Sequence, residues 1–317
     1  MVHLQDHLEK GDLLVLNDTR VIRARVFGVR PDTSGRVEFL FLDIADGSAT
    51  ALVKTRSKVG EGITARLGEE SDGITLRVGP LLPGGVHRVE TDLTRDAMVA
   101  ALERLGRMPL PPYIHRDKVS DPRDPIDQER YQTVYSQSPG AAAAPTAGLH
   151  FTNNLLRACA ERGVEVATVT LHVGLGTFRP VEQRDIRLHQ MHEERFSVPE
   201  STAQAIAMTR ARGGRVIAVG TTALRALAAA MVDGVIRGGE GTTRVFMHPP
   251  HRINVVDGLL TNFHVPKSTL FMLVCAFGGT GVMKRAYAHA IAARYRLLSY
   301  GDAMLILASK APNPVGR

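Results

Sequence analysis

The feature that most constrains this chain is a change of hydrophobic period part-way along it. Over residues 12–89 the apolar residues come in short runs: LLVLN, RARVFGV, RVEFLFLDI, TALVK, ITARL, GITLRV and VHRVE. Gly, Asp, Ser and Pro separate them, which is the rhythm of β-strands joined by turns and suggests a barrel or sandwich. Residues 92–105 then turn helical, with Met98, Val99, Leu102 and Leu105 on one face and Gly106 placed as the C-terminal cap. Beyond Tyr131 helical and strand periods alternate, the mark of helices layered on a sheet. With 317 residues, 44% of them hydrophobic, the chain sits near the size at which one core becomes two.

The expected fold class is therefore a mixed α/β large domain with an inserted or appended small β-barrel domain. The barrel is expected over residues 18–107 and the α/β catalytic domain over 1–17 and 108–317. Residues 108–130, dense in Pro and Asp, are read as a linker, because Pro disfavours both helix interiors and central strands. Within it Tyr113, His115 and Arg116 sit on a Pro-stiffened arm able to position a ligand.

Composition bounds the chemistry. The formal charge is +7 and the isoelectric point is near 9.7, which suits a polyanionic partner, although an ordinary basic protein explains it equally well. The two cysteines, Cys159 and Cys275, lie far apart in apolar helical patterns, so neither a disulfide framework nor a zinc site is encoded. No charged segment followed by an apolar stretch opens the chain, and no apolar run reaches membrane-spanning length, so a cytoplasmic location is expected.

Site-like material concentrates where strands or turns meet helices. PTAGLHF, at 145–151, packs a rigid residue, the Thr146 hydroxyl, the permissive Gly148 and the His150 imidazole into one turn. The strand VATVTLHVG runs into Gly174, Gly176 and Thr177, but the third glycine of a dinucleotide loop is absent and Pro180 bars an immediate helix. Gly220, Thr221 and Thr222 link a strand to a helix whose N-terminus favours an anion, with Arg225 close by. His189, His192, Glu193 and Glu194 lack the spacing of a metal-binding helix and read as a non-metal group. His192 with Glu194 is read instead as a pair that orients hydroxyls or exchanges protons. TNFHVPKSTLFML brings Asn262, His264, Lys267 and Ser268 to the entrance of an apolar helix, and SYGDA sets Asp302 on a tight turn.

Together these segments resemble the S-adenosylmethionine:tRNA ribosyltransferase-isomerase family of queuosine biosynthesis. The matching blocks are GDLLVLNDTRVIRARVFG, MPLPPYI, ERYQTVYSQSPGAAAAPTAGLHF, TLHVGLGTFRPV, GGRVIAVGTTALRALA, VVDGLLTNFHVPKSTLFMLVCAFGG and RYRLLSYGDAM, in family order over nearly the whole chain. The resemblance implies transfer and isomerisation of the ribosyl part of S-adenosylmethionine onto 7-aminomethyl-7-deazaguanine at the tRNA wobble position. The products would be epoxyqueuosine-tRNA, adenine and methionine. S-adenosylmethionine is thus a co-substrate, with no bound cofactor or metal, and the enzyme is expected to be a monomer. The sulfonium acidifies the C5′ proton and the exocyclic amine of the base is the nucleophile, so proton acceptors are required.

By position, the resemblance makes His150, His172 and His264 the acid/base candidates, with Asp302 a fourth. Thr146, Gly148, Gly174, Gly176, Thr177, Thr221, Thr222 and Arg225 are expected to hold S-adenosylmethionine. Arg20, Arg23, Lys54, Arg56, Lys58, Arg116 and Lys267 are expected to face tRNA. Family members carry an Arg-Ser-Arg-Leu-Leu-like strand ahead of the position matching Gly11, where this sequence opens with MVHLQDHLEKGD. Either the start is displaced or a strand of the large domain lies outside the sequence.

Overall fold

The computed structural model describes residues 1, 3–56, 59–68, 73–117, 121–174, 185–186, 189 and 191–308. The fold is mixed α/β and divides into two compact units, residues 1–18, 145–171 and 176–317 forming one and residues 19–144 and 172–175 the other.

The first unit is built on a seven-stranded sheet. In spatial order its strands are Gly239–Thr243, Glu194–Val198, Glu165–Leu171, Leu13–Asn17, Val216–Val219, Gly258–Asn262 and Ala303–Leu307. The four middle strands are mutually parallel, and antiparallel strands flank them. Leu13–Asn17, Val216–Val219 and Gly258–Asn262 are buried at every position, which explains why their sequences are apolar runs without alternation: strands covered on both faces need no polar side. Helices Glu200–Ala211 and Thr221–Ala229 pack against the central strands.

Chain order decides where a ligand belongs. Leu13–Asn17 comes first and sits centrally; the next parallel strand, Glu165–Leu171, lies on one side of it and Val216–Val219 on the other. The winding reverses there, and in open α/β sheets the crevice outside the carboxyl ends at such a reversal is the usual binding position. At the opposite end Arg215 donates to both carboxylate oxygens of buried Asp12, at 3.0 and 2.5 Å. Burial alone would raise the Asp12 pKa, but these bonds and those from backbone N–H groups of Glu9 and Arg215 outweigh it and hold the carboxyl below its ordinary range.

In the second unit six antiparallel strands close a barrel in the order Arg25–Val29, Arg36–Ala45, Ser48–Thr55, Val86–Glu90, Ile74–Leu82 and Thr64–Leu67. Arg36–Ala45 alternates buried and outward residues, placing Phe39 and Phe41 inside with their rings stacked at 5.8 Å. Helix Arg95–Leu105 starts where the Thr94 hydroxyl accepts from the Ala97 N–H, and it buries Met98 and Leu102 in the barrel core, with Val99 and Leu105 packed against it.

The barrel unit continues past residue 107, the boundary expected from sequence, to Ala144. The segment read as a linker holds a helix, Asp124–Arg130, with Pro125 in its first turn, where proline's missing N–H costs nothing. Side chains that mimic backbone fix this stretch: Gln132 donates to the Val21 carbonyl at 2.7 Å and accepts from its N–H at 3.0 Å. The sequence reading also passed over Gly239–Thr243 as a strand, since GEGTT has neither apolar alternation nor β-branched bulk before its final threonines.

Candidate active site

The carboxyl ends of the parallel strands gather most of the candidate residues of the first unit. Asn262 closes Gly258–Asn262 and is 2% exposed. Its Oδ1 accepts from the Thr146 hydroxyl at 3.0 Å, and its Nδ2 donates to the Leu298 carbonyl at 3.1 Å and to His150 Nε2 at 3.0 Å. One amide thereby ties together both polar side chains of the PTAGLHF turn, which forms the short 3-10 helix Thr146–His150 with Gly148 buried inside it. Burial lowers the pKa of His150, while Asp302 opposes it.

A second cluster lies at the end of Val216–Val219. Gly220 adopts φ +90°, a left-handed region that glycine enters without strain, and so turns the strand directly into helix Thr221–Ala229. Among the described residues no side chain caps this helix, and the buried Thr222 hydroxyl meets no hydrogen-bond partner. Arg225 is 2% exposed and forms an ion pair through Nη1 with Glu194, which is equally buried at the start of Glu194–Val198. Nε and Nη2 of Arg225 meet no acceptor among the described residues. A buried guanidinium with two idle donor atoms, beside an orphaned hydroxyl and free helix N–H groups, is an anion receptor by its donor inventory.

The remaining candidates are placed differently. His264 Nε2 lies 2.9 Å from Thr261 Oγ1, and its backbone N–H donates to the Tyr287 hydroxyl at 2.8 Å. Desolvation pushes its pKa down to about 4 although the residue keeps some exposed surface, so it stands neutral at pH 7. Asp302 Oδ2 accepts from the Arg296 N–H at 2.8 Å and so closes its own turn. In the second unit, His172 Nδ1 lies 2.8 Å from Thr19 Oγ1, and its ring lies against Gly140, where an added Cβ would come within 3.1 Å of the imidazole. Gly174 borders open space, while Gly176 and Thr177 lie outside the described residues.

Among the cations, Arg20, Lys54, Arg56 and Lys267 are exposed, and Lys58 lies outside the described residues. Arg23 bonds Gln128 at 2.8 Å and pairs with Glu103 at 3.5 Å. Arg116 is committed to buried Asp127 through two bonds of 2.6 and 2.8 Å, which raises its pKa and occupies the fork a phosphate would need. No cluster of three His, Cys, Asp or Glu that could hold a metal occurs among the described residues. Both cysteines are buried and their thiols are pushed up by burial.

Two residues at the centre of the sheet were not singled out from sequence. Asn17 exchanges side-chain hydrogen bonds with the Leu171 backbone at 3.0 Å in both directions, and buried Asp18 accepts from the Thr170 hydroxyl at 2.6 Å. The available signal was a polar pair ending a fully apolar strand. Glu194 was noted beside His192, but its partner in the fold is Arg225.

Comparisons with known proteins identify the family of the chain. A family model described as queuosine biosynthesis protein matches residues 1–306. An S-adenosylmethionine:tRNA ribosyltransferase-isomerase of Azoarcus sp. (strain BH72) is 50% identical over 308 residues, covering 96% of this chain and 86% of that protein. One of Acidithiobacillus ferrooxidans is 51% identical over 309 residues, covering 94% and 84%. A solved S-adenosylmethionine tRNA ribosyltransferase from Thermotoga maritima is 31% identical, with a TM-score of 0.49 and coverage of 96% of this chain and 86% of that one. With a family match spanning the two units and relatives at half identity over nearly the whole length, the chain belongs to the queuosine biosynthesis protein family.

Proposed function

We propose that this enzyme transfers and isomerises the ribosyl group of S-adenosylmethionine onto 7-aminomethyl-7-deazaguanine in tRNA, releasing adenine and methionine. The observation that carries the substrate reading is the buried Arg225, whose Nε and Nη2, like the Thr222 hydroxyl at the N-terminus of Thr221–Ala229, meet no partner among the described residues. S-adenosylmethionine presents one carboxylate, which would satisfy these donors while the helix dipole favours its charge. A buried ion pair that retains spare donors is costly without a ligand and stable with one.

In this reading Thr146, Gly148 and His150 form the wall beside the adenosyl group, with Thr221, Thr222 and Arg225 at the methionyl end. The sulfonium makes the C5′ proton removable, so a base is needed there, and the amine of the modified base is the nucleophile that bonds to the ribosyl group as adenine and methionine leave. His172 is the candidate proton carrier of the second unit; His264 and Asp302, each engaged by its own turn, are reserved for positioning. Lys54, Arg56, Arg20 and Lys267 supply exposed positive charge for tRNA phosphates. No helix among the described residues is long and apolar enough to cross a membrane; the proposed setting is the cytoplasm, with the enzyme acting as a monomer.

The test is incubation with S-adenosylmethionine and precursor tRNA carrying the aminomethyl base, followed by mass spectrometry of the RNA and assay of free adenine. Labelled methyl recovered on methionine supports ribosyl transfer. Methyl recovered on RNA makes the protein a methyltransferase and overturns the proposal, and tRNA binding without adenine release reduces it to a binding protein.

A further inference from the structure

Among the described residues His150 is hydrogen-bonded through one ring nitrogen, and the identity of the atom facing it decides what the other can do. Asn262 is pinned on three sides, by the Thr146 hydroxyl, the Leu298 carbonyl and His150 Nε2. A carbonyl oxygen accepts and never donates, so the amide atom 3.1 Å from Leu298 O must be Nδ2. The orientation of the whole amide follows from that one contact, and Oδ1 is left to accept from Thr146. The second Nδ2 hydrogen points at His150 Nε2, 3.0 Å away. An amide N–H needs a lone pair opposite it, so Nε2 cannot carry a proton, and in the neutral ring the proton then sits on Nδ1. Nδ1 itself has no hydrogen-bond partner among the described residues, which leaves an N–H directed away from the Asn262 contact.

We propose that Asn262 is a positioning residue that holds His150 as a neutral imidazole protonated on Nδ1, so that His150 meets an acceptor atom of the adenosyl group as a fixed hydrogen-bond donor and not as the base. This rests on the S-adenosylmethionine reading above and sharpens it: removal of the C5′ proton falls to another group. The surroundings agree. Thr146, Asn262 and the Leu298 carbonyl are neutral, burial disfavours imidazolium, and among the described residues Asp302 is the charge acting the other way. A neutral imidazole donor offers a hydrogen bond without adding a second positive charge next to a sulfonium, which a protonated histidine would do.

The test is the imidazole 15N spectrum of the full chain labelled at histidine, with His150 assigned by its loss in His150→Gln. At pH 7 the expected pattern is a protonated Nδ1 and a bare Nε2. A carboxylate at position 262 demands the opposite arrangement, so in Asn262→Asp the proton should move to Nε2 and the pH at which the ring ionises should rise. Adenine release by that variant should fall about tenfold or more in kcat, the effect of one hydrogen bond present in the transition state, with the acid limb of its pH profile displaced upward. A proton on Nε2, or an imidazolium at pH 7, in the wild-type spectrum overturns the proposal, as does an unchanged tautomer in a folded Asn262→Asp. The spectrum needs no turnover, so its failure is distinct from that of the ribosyl-transfer reading, which falls if the wild-type enzyme releases no adenine.

Discussion

Arg225 gives the site its most demanding test, because its removal should affect stability and binding in ways that can be separated. The side chains of Arg225 and Glu194 are each 2% exposed. Taking away the guanidinium in Arg225→Met removes the charge paired with the buried Glu194 carboxylate, a loss of about 3–5 kcal/mol. Replacing Glu194 by Gln in the same chain removes the carboxylate charge as well, and most of that stability should return. Binding behaves otherwise. A charge-assisted hydrogen bond contributes about 1.5–3 kcal/mol, so the single and the double variant should both bind S-adenosylmethionine roughly 10- to 150-fold more weakly.

Urea denaturation measures the first quantity and titration calorimetry the second, each in wild type, Arg225→Met and the double variant. Decarboxylated S-adenosylmethionine supplies the internal control, since it lacks the group Arg225 is meant to hold. It should bind wild type and double variant with equal affinity. The reasoning is refuted if the double variant binds S-adenosylmethionine as tightly as wild type does. It is refuted equally if decarboxylation leaves affinity for the wild-type protein unchanged.

Other expectations follow from the same geometry. Lys54→Ala and Arg56→Ala should each lower the salt slope of tRNA binding by about one, while Arg116→Ala, whose charge Asp127 already holds, should leave that slope unchanged in filter binding. Gly140→Ala puts a Cβ against the His172 ring at a backbone φ of +149°, so it should lower kcat, and by little further in a His172→Ala background. Asp12 has its pKa depressed by folding, so its pairing with Arg215 stabilises the protein above the ordinary value of 3.8 and that contribution is lost as pH falls through the lower folded value. Asp12→Asn should therefore flatten the stability loss below about pH 4 in urea titrations, at the cost of lower stability at neutral pH.

The barrel and the α/β sheet were legible in the sequence because each announces itself by period: alternation in RVEFLFLDI, where one face looks into the barrel, and unbroken apolar runs in LLVLN and RVIAV, where both faces are covered. The extent of the barrel unit was not legible past residue 107. What fixes residues 108–144 is paired side chains such as Gln132 with the Val21 backbone and Arg116 with Asp127, which lie 111 and 11 positions apart and leave no periodic trace. The same holds at the site. Thr146, His150, Thr222 and Arg225 stood out by residue type beside a turn or a helix start, but the residues that orient them, Asn262 and Glu194, are 112 positions from His150 and 31 from Arg225.

That difference has a physical cause with consequences for the chemistry. A residue that meets a ligand must lie at a strand end or a helix start, so local pattern finds it. A residue that sets a proton's position only has to meet the first in space, and a parallel sheet supplies such meetings between strands distant in sequence. Here the carboxyl end of Gly258–Asn262 delivers Asn262 to the PTAGLHF turn, and the start of Glu194–Val198 delivers Glu194 to the helix that begins at Thr221. Both are buried side chains that act on a polar neighbour: one amide selects which nitrogen of an imidazole bears the proton, and one carboxylate balances a guanidinium that still has donors to spare. In a reaction that starts from a sulfonium and releases a purine and an amino acid, control over which groups are charged is the part of catalysis the fold can arrange before any substrate arrives.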